Sequence, residues 1–190
     1  MSSAKPVEKP TLRQLLRDGT QRVHETLDLR VAELCLTDPE DYAEFLLFQY
    51  RSRLPVEAWA EAEMPQDLLP PSQVLLIASD LSALGDTLPP VATDFSLPYG
   101  SDPIGAAWAL AGSSLGNRAM LSHMRKASGS RGEWPEAFLA DDRMTRFWTG
   151  LRTKIEQPFS GDPAAALLGA EAVFARFIEE SERITERAAA

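Results

Sequence analysis

Asp102-Pro103-Ile104-Gly105-Ala106-Ala107-Trp108-Ala109-Leu110-Ala111-Gly112-Ser113-Ser114-Leu115-Gly116-Asn117-Arg118 reads as a helix with a bare side. Asp102 supplies a cap and Pro103 the first-turn proline, and the apolar spacing predicts a helix running to about Met124, stopped by Ser128, Gly129 and Ser130. Gly105, Ala109, Gly112 and Gly116 follow one another at offsets of four, three and four, so on a helix these small residues form one stripe. An interior glycine costs about 1 kcal/mol relative to alanine, so Gly112 and Gly116 together give up on the order of 2 kcal/mol unless close approach of the backbone repays it. Two partners would do so: another helix packed tightly on the stripe, or a flat ligand lying against bare backbone, with a kink at the glycines.

Outward from this segment the chain reads as helices throughout. Thr11 and Gln14 have the spacing of a capping box, and Leu12, Leu15, Leu16, Val23, Leu27, Val31 and Leu34 then recur at helical intervals. Asp38-Pro39 starts a second helix through Tyr42, Phe45, Leu46, Gln49 and Tyr50, predicted to break or kink at Pro55 and to continue briefly through Val56, Ala58 and Trp59. Residues 72–84 form a third, ended by Gly85, and residues 86–100 a proline-rich loop. Residues 141–157 and 163–187 carry apolar faces through Met144, Phe147, Trp148, Leu151 and Ile155, and through Leu167, Val173, Phe174 and Phe177. With no convincing strand or repeat, the expectation is an all-α, single-domain bundle of six to eight helices over residues 11–187, preceded by a flexible tail at 1–10.

Composition narrows the function classes. With 28 acidic and 19 basic residues the net charge is −9, which disfavours nucleic acid or an anionic membrane as the main partner. The polar, proline-broken opening is not read as a secretory signal and no run reaches the roughly 18 apolar residues of a membrane span, so a cytoplasmic protein is expected. Cys35, the single cysteine, is expected to be a small buried residue, and it excludes an internal disulfide framework. With two histidines far apart and one cysteine, neither a nucleophile triad nor a Cys/His metal cage is readily built. Gln21 and Met120 stand three residues before the histidines, where a di-iron site would have glutamates.

His24 is the candidate metal ligand. It lies at the edge of the first helix's apolar stripe, four residues after Thr20 and four before Asp28, whose carboxylate could take the other ring proton. The plainer alternative is a partly exposed histidine paired with an acid. His123, seven residues after Gly116 on the glycine face, is a rival ligand or a solvated helix-end residue.

Arg17-Asp18-Gly19-Thr20-Gln21-Arg22-Val23-His24 resembles the proximal-helix motif of the heme oxygenase family, and Ala111-Gly112-Ser113-Ser114-Leu115-Gly116-Asn117-Arg118 resembles its distal-helix motif in the bacterial Gly-Ser-x-Leu-Gly form. The order and separation of the two, the aromatic second helix and the segment Ser79-Asp80-Leu81-Ser82-Ala83-Leu84-Gly85 extend the resemblance over roughly residues 11–180.

The resemblance implies a heme slot between the first helix and the glycine-containing one. His24 would ligate the iron with Asp28 as its hydrogen-bond partner. Arg17 would face a propionate, with Thr20 in the same motif. Gly112, Ser113 and Gly116 would line the distal side beside Asn117, and Phe174 would touch the heme edge. The implied activity is cleavage of heme to biliverdin, carbon monoxide and iron, with oxygen and with electrons from an external reductase or ferredoxin. Either iron recovery or bilin supply would use it, and the chain would act as a monomer or weak dimer. A non-catalytic heme carrier or sensor, or a heme-free interaction protein, is the alternative. The pattern is broken at Ala111, often glutamate in bacterial relatives, at Asn117, where a further glycine is usual, and at Ser113, which replaces the animal enzymes' distal aspartate. Thr149 stands where a second propionate-binding arginine is expected, leaving Arg146, Arg152 or Lys154 as substitutes.

Overall fold

The computed structural model describes residues 10–128 and 134–188. Most of the expected tail, and Gly129 and Ser130, lie outside the described residues. Eight helices are described: α1 (Leu12–Val31), α2 (Pro39–Glu63), α3 (Val74–Leu84), α4 (Pro103–Gly112), α5 (Asn117–Ser128), α6 (Ala137–Ala140), α7 (Arg143–Glu156) and α8 (Pro163–Ala188). None of them is long and apolar enough to cross a membrane.

The helix starts follow from their caps. At α1 the Thr11 hydroxyl accepts from the Gln14 N–H (3.3 Å) while Gln14 Oε1 accepts from the Thr11 N–H (2.8 Å), the reciprocal box that the sequence predicts. Asp38 accepts from the N–H groups of Glu40 and Asp41, and Asp102 from that of Ile104, each just before a first-turn proline. Gly85, at φ 87°, closes α3 in the left-handed conformation, and the Asp86 N–H reaches back to the Leu81 carbonyl (3.0 Å). The start of α3 comes from another helix: Glu57 of α2 accepts from the N–H groups of Gln73 (3.0 Å) and Val74 (3.3 Å).

Three expectations need correction. Pro55 does not break the second helix. The carbonyl that its missing N–H would have bonded, that of Arg51, accepts instead from the Arg176 guanidinium at 3.2 Å, so α2 passes through the proline with that group satisfied. The glycine-containing segment is not one helix but two, separated at residues 113–116, where Ser114, Leu115 and Asn117 bond three residues back instead of four. Cys35 is exposed, not buried, with its thiol 3.2 Å from the Thr37 hydroxyl. The short α6 had no sequence signal of its own. Asp80 of α3 accepts from the Ala137 and Phe138 N–H groups, both at 2.9 Å, and so organises it.

A single apolar core gathers α2, α4 and α8, with Tyr42, Phe45, Leu46, Phe48, Leu110, Val173 and Phe177 buried in it. The α4–α8 crossing is close because two glycines face it. A Cβ on Gly105 would lie 1.7 Å from the Ala166 carbonyl oxygen, and one on Gly169 would lie 2.5 Å from the Asp102 oxygen. Helix α1 also packs along α8, and both α1 and α4 touch α7, yet α1 and α4 scarcely meet one another. That gap holds the site.

Candidate functional site

The apolar stripe of α1 is only half used by the core. Leu12 and Leu16 are buried, whereas Val23, Leu27 and Val31 further along the same stripe are half-buried. Val23, Leu27 and Val31 pack against the edge of the core, and Leu27 and Val31 also line a cavity, so part of the stripe is left for whatever fills it.

The cavity has two lobes, of about 300 and 460 Å³, which share His24, Ala109, Ser113 and Phe174 as lining residues. Volumes of this size suit a sizeable organic ligand. The smaller lobe is walled by Trp108, Gly112, Leu115 and Trp148, with Arg13, Arg17, Thr20, Gln21 and Glu25 on its α1 side. The larger lobe is walled by Phe45, Phe48, Met120, Val173 and Phe177, with Gln49, Asn117 and His123 as polar members.

His24 projects from α1 between the lobes, its side chain 46% exposed. Its Nδ1 is 3.3 Å from Asp28 Oδ2, and its ring sits 5.7 Å from that of Phe174. With Nδ1 occupied by the carboxylate, Nε2 is the nitrogen left for a ligand. Thr20 is buried and donates to the Leu16 carbonyl at 2.8 Å, holding its polar atom within the helix. Arg17 is largely exposed at the mouth of the smaller lobe, 3.9 Å from Asp18.

Opposite α1, the small-residue stripe divides into two functions. Gly105 is a packing glycine, as the α4–α8 crossing requires. A Cβ on Gly112 would meet nothing nearer than Trp148 at 4.0 Å, so its backbone is exposed to the cavity. Gly116 is exposed and lines neither lobe. Ser113 lines both lobes. Its hydroxyl donates to the Leu110 carbonyl (2.8 Å) and accepts from Arg53 Nη2 (2.7 Å), which leaves it only acceptor capacity toward the cavity.

Thr149 is exposed and bonded to the Thr145 carbonyl. Arg146, Arg152 and Lys154 pair with Asp142, Glu156 and Asp67, and none lines either lobe. The second cation at the mouth is instead Arg13, held at 2.9 Å from Glu156, whose carboxyl Arg152 and Arg13 keep below the usual range. Among the described residues no group of three or more His, Cys, Asp or Glu side chains could hold a metal ion together.

Sequence reading passed over Arg13, Trp108, Trp148 and, above all, Arg53. A signal for Arg53 was present: Gln49, Arg53 and Glu57 recur at intervals of four, flanked by the apolar residues Phe45, Leu46, Phe48 and Val56, so a polar row on one face of α2 was readable. Arg53 is fully buried, with Nε 3.0 Å from Gln49 Oε1 and its guanidinium 5.6 and 5.8 Å from the rings of Phe138 and Phe177. Burial pushes its pKa down and neighbouring Glu57 pushes it back up. An arginine starts so far above neutrality that it stays a cation.

The chain matches the solved structure of the heme oxygenase from Neisseria meningitidis, determined with NO and CO bound. The TM-score is 0.66 at 21% identity, over 93% of this chain and 92% of that one. The chain therefore has the heme oxygenase fold. No family model and no curated protein matches it.

Proposed function

We propose that this protein binds heme between α1 and the α4–α5 wall and oxidises it to biliverdin, carbon monoxide and iron. The observation that carries the reading is the pairing of one carboxylate-anchored imidazole, His24, with a stretch of bare backbone at Gly112 on the facing wall of the same apolar cavity. A single imidazole gives only one protein ligand, which suits an iron already held by four porphyrin nitrogens and suits a bare ion poorly. The remaining walls fit as well: aromatic and aliphatic side chains suit the macrocycle, and Arg13 and Arg17 at the open end suit its carboxylates.

Heme in this cavity would supply the iron at which dioxygen is activated and the ring that is oxidised, with electrons from an outside donor protein. The chain's own part is placement. Asp28 holds Nδ1 and so leaves Nε2 as the atom that would take the iron, to which a neutral imidazole would donate less electron density than a thiolate. The missing side chain at Gly112 lets the macrocycle lie close to the wall. Ser113, with its proton committed to Leu110, receives a proton-bearing group and does not give one.

That commitment also favours a second reading, a heme carrier or sensor, because no acid of the described chain lines the distal wall at Ser113, Gly112 or Asn117. Purified protein titrated with hemin decides between them. The enzyme reading expects a Soret band that gives way to biliverdin absorbance under reductant and oxygen. A Soret band that persists means a carrier, and none at all removes both. His24→Ala is expected to abolish the native axial ligation, with partial return on adding imidazole; an unchanged spectrum would move the ligand to His123.

A further inference from the structure

Arg53 lies behind the distal wall and lines neither lobe. Its one nearby carboxylate is shared with the start of α3: Glu57 Oε1 accepts from Arg53 Nη1 at 3.5 Å as a long ion pair, while Oε2 accepts from the Ser72 hydroxyl (2.7 Å) and from the Gln73 and Val74 N–H groups. Glu57 thus divides its hydrogen bonds between the guanidinium and the start of α3. The guanidinium's shortest bond runs the other way, to the Ser113 hydroxyl at 2.7 Å, with Ser114 Oγ at 3.3 Å from the same nitrogen. Gln49 gives its amide oxygen to Arg53 Nε, so its NH₂ end turns from the guanidinium, and that end takes no other hydrogen bond among the described residues. Ser113 and Gln49 both line the cavity. A charge wholly buried is screened little by solvent or salt, so its potential reaches the cavity.

Resting on the heme reading above, we propose that Arg53 is a positioning residue whose guanidinium, acting from behind Ser113 and Gln49, makes the distal side of the slot prefer small anionic ligands over neutral ones. Glu57 sets the strength of the preference by how much of that charge it offsets.

The test uses the hemin complexes of the native chain and of Arg53→Met, Arg53→Lys and Glu57→Gln. Azide is titrated into the ferric form and carbon monoxide into the reduced form, with the CO stretching frequency read by infrared spectroscopy. Azide affinity is expected to fall about tenfold in Arg53→Met, to stay within about threefold of native in Arg53→Lys, and to rise about threefold in Glu57→Gln. CO affinity is expected to hold while its stretch shifts upward in Arg53→Met, as loss of a nearby positive charge requires. Azide affinities within about twofold of native in both Arg53→Met and Glu57→Gln overturn the proposal, as does a fall of azide and CO affinity together. Should Arg53→Met fail to take up hemin, Glu57→Gln decides alone. A native chain with no Soret band overturns the heme reading before any azide is added, so the two failures are distinguishable.

Discussion

One substitution at two glycines of α4 separates packing from ligand space. At Gly105 a methyl group would occupy the Ala166 carbonyl oxygen, 1.7 Å away, and backbone cannot step aside as a side-chain tip can. Gly105→Ala is therefore expected to destabilise the fold by about 1–3 kcal/mol or more, read as a lower urea midpoint. At Gly112 the same methyl meets only open space out to 4.0 Å, so Gly112→Ala removes a helix-weakening glycine and is expected to stabilise the unliganded chain by up to about 1 kcal/mol. Gly112→Leu extends further into the slot and is expected to cut hemin uptake while the chain stays folded. A loss of stability at both positions would mean that Gly112 is a packing glycine too. The spacing Gly105–Ala109–Gly112–Gly116 reveals a bare stripe, but not that its first member meets a helix and its third a cavity. That division depends on where α8 ends its contact with α4, which is a tertiary fact.

The same limit acts on whole elements. Helix ends were legible where the signal is local: the Thr11 box, the Asp-Pro starts at 38–39 and 102–103, and Gly85 all do what short-range chemistry predicts. The passage of α2 through Pro55 was not, because the donor that satisfies the Arg51 carbonyl belongs to Arg176, 125 residues along the chain. Arg176 also bonds Glu179 (2.9 Å) and Glu180 (2.7 Å), so it is held in place for the task. Arg176→Met is expected to cost about 2 kcal/mol by leaving the Arg51 carbonyl and Glu180 without it. In a Pro55→Ala background the new N–H can bond the Arg51 carbonyl directly, and the cost of Arg176→Met is expected to shrink by about 1 kcal/mol. A double-mutant cycle by chemical denaturation measures that coupling, and strict additivity would detach Arg176 from the proline. His24 and Ser113 stand in the two motif stretches and Phe174 entered through the resemblance; all three line both lobes. For Arg53 the 49–53–57 spacing marks a buried polar row, but not that its shortest bond reaches Ser113, 60 residues along the chain.

At the scale of the molecule, α1 and α4 are joined through α8 and α7 and scarcely through each other. Half of α1 consequently presents apolar residues to a cavity, and the α4–α5 break at 113–116 replaces helix bonds by shorter-range ones on the facing side. Both regions should open more readily than the α4–α8 core, since they bury fewer apolar contacts. A ligand filling the slot would bond to one wall through His24 and pack on the other at Gly112, joining two elements that the chain leaves apart. Binding to the folded state alone at a free concentration one hundred times Kd contributes about 2.7 kcal/mol, which for a domain of this size raises Tm by on the order of 5–10 °C. Hemin is expected to do this, and amide hydrogen exchange should slow chiefly in residues 23–31 and 113–120, with little change along α8. His24→Ala tests whether the effect runs through the imidazole. It should bring the shift in Tm and the added protection down together, whereas equal shifts in the variant and the native chain would mean that hemin stabilises the protein from somewhere other than this slot.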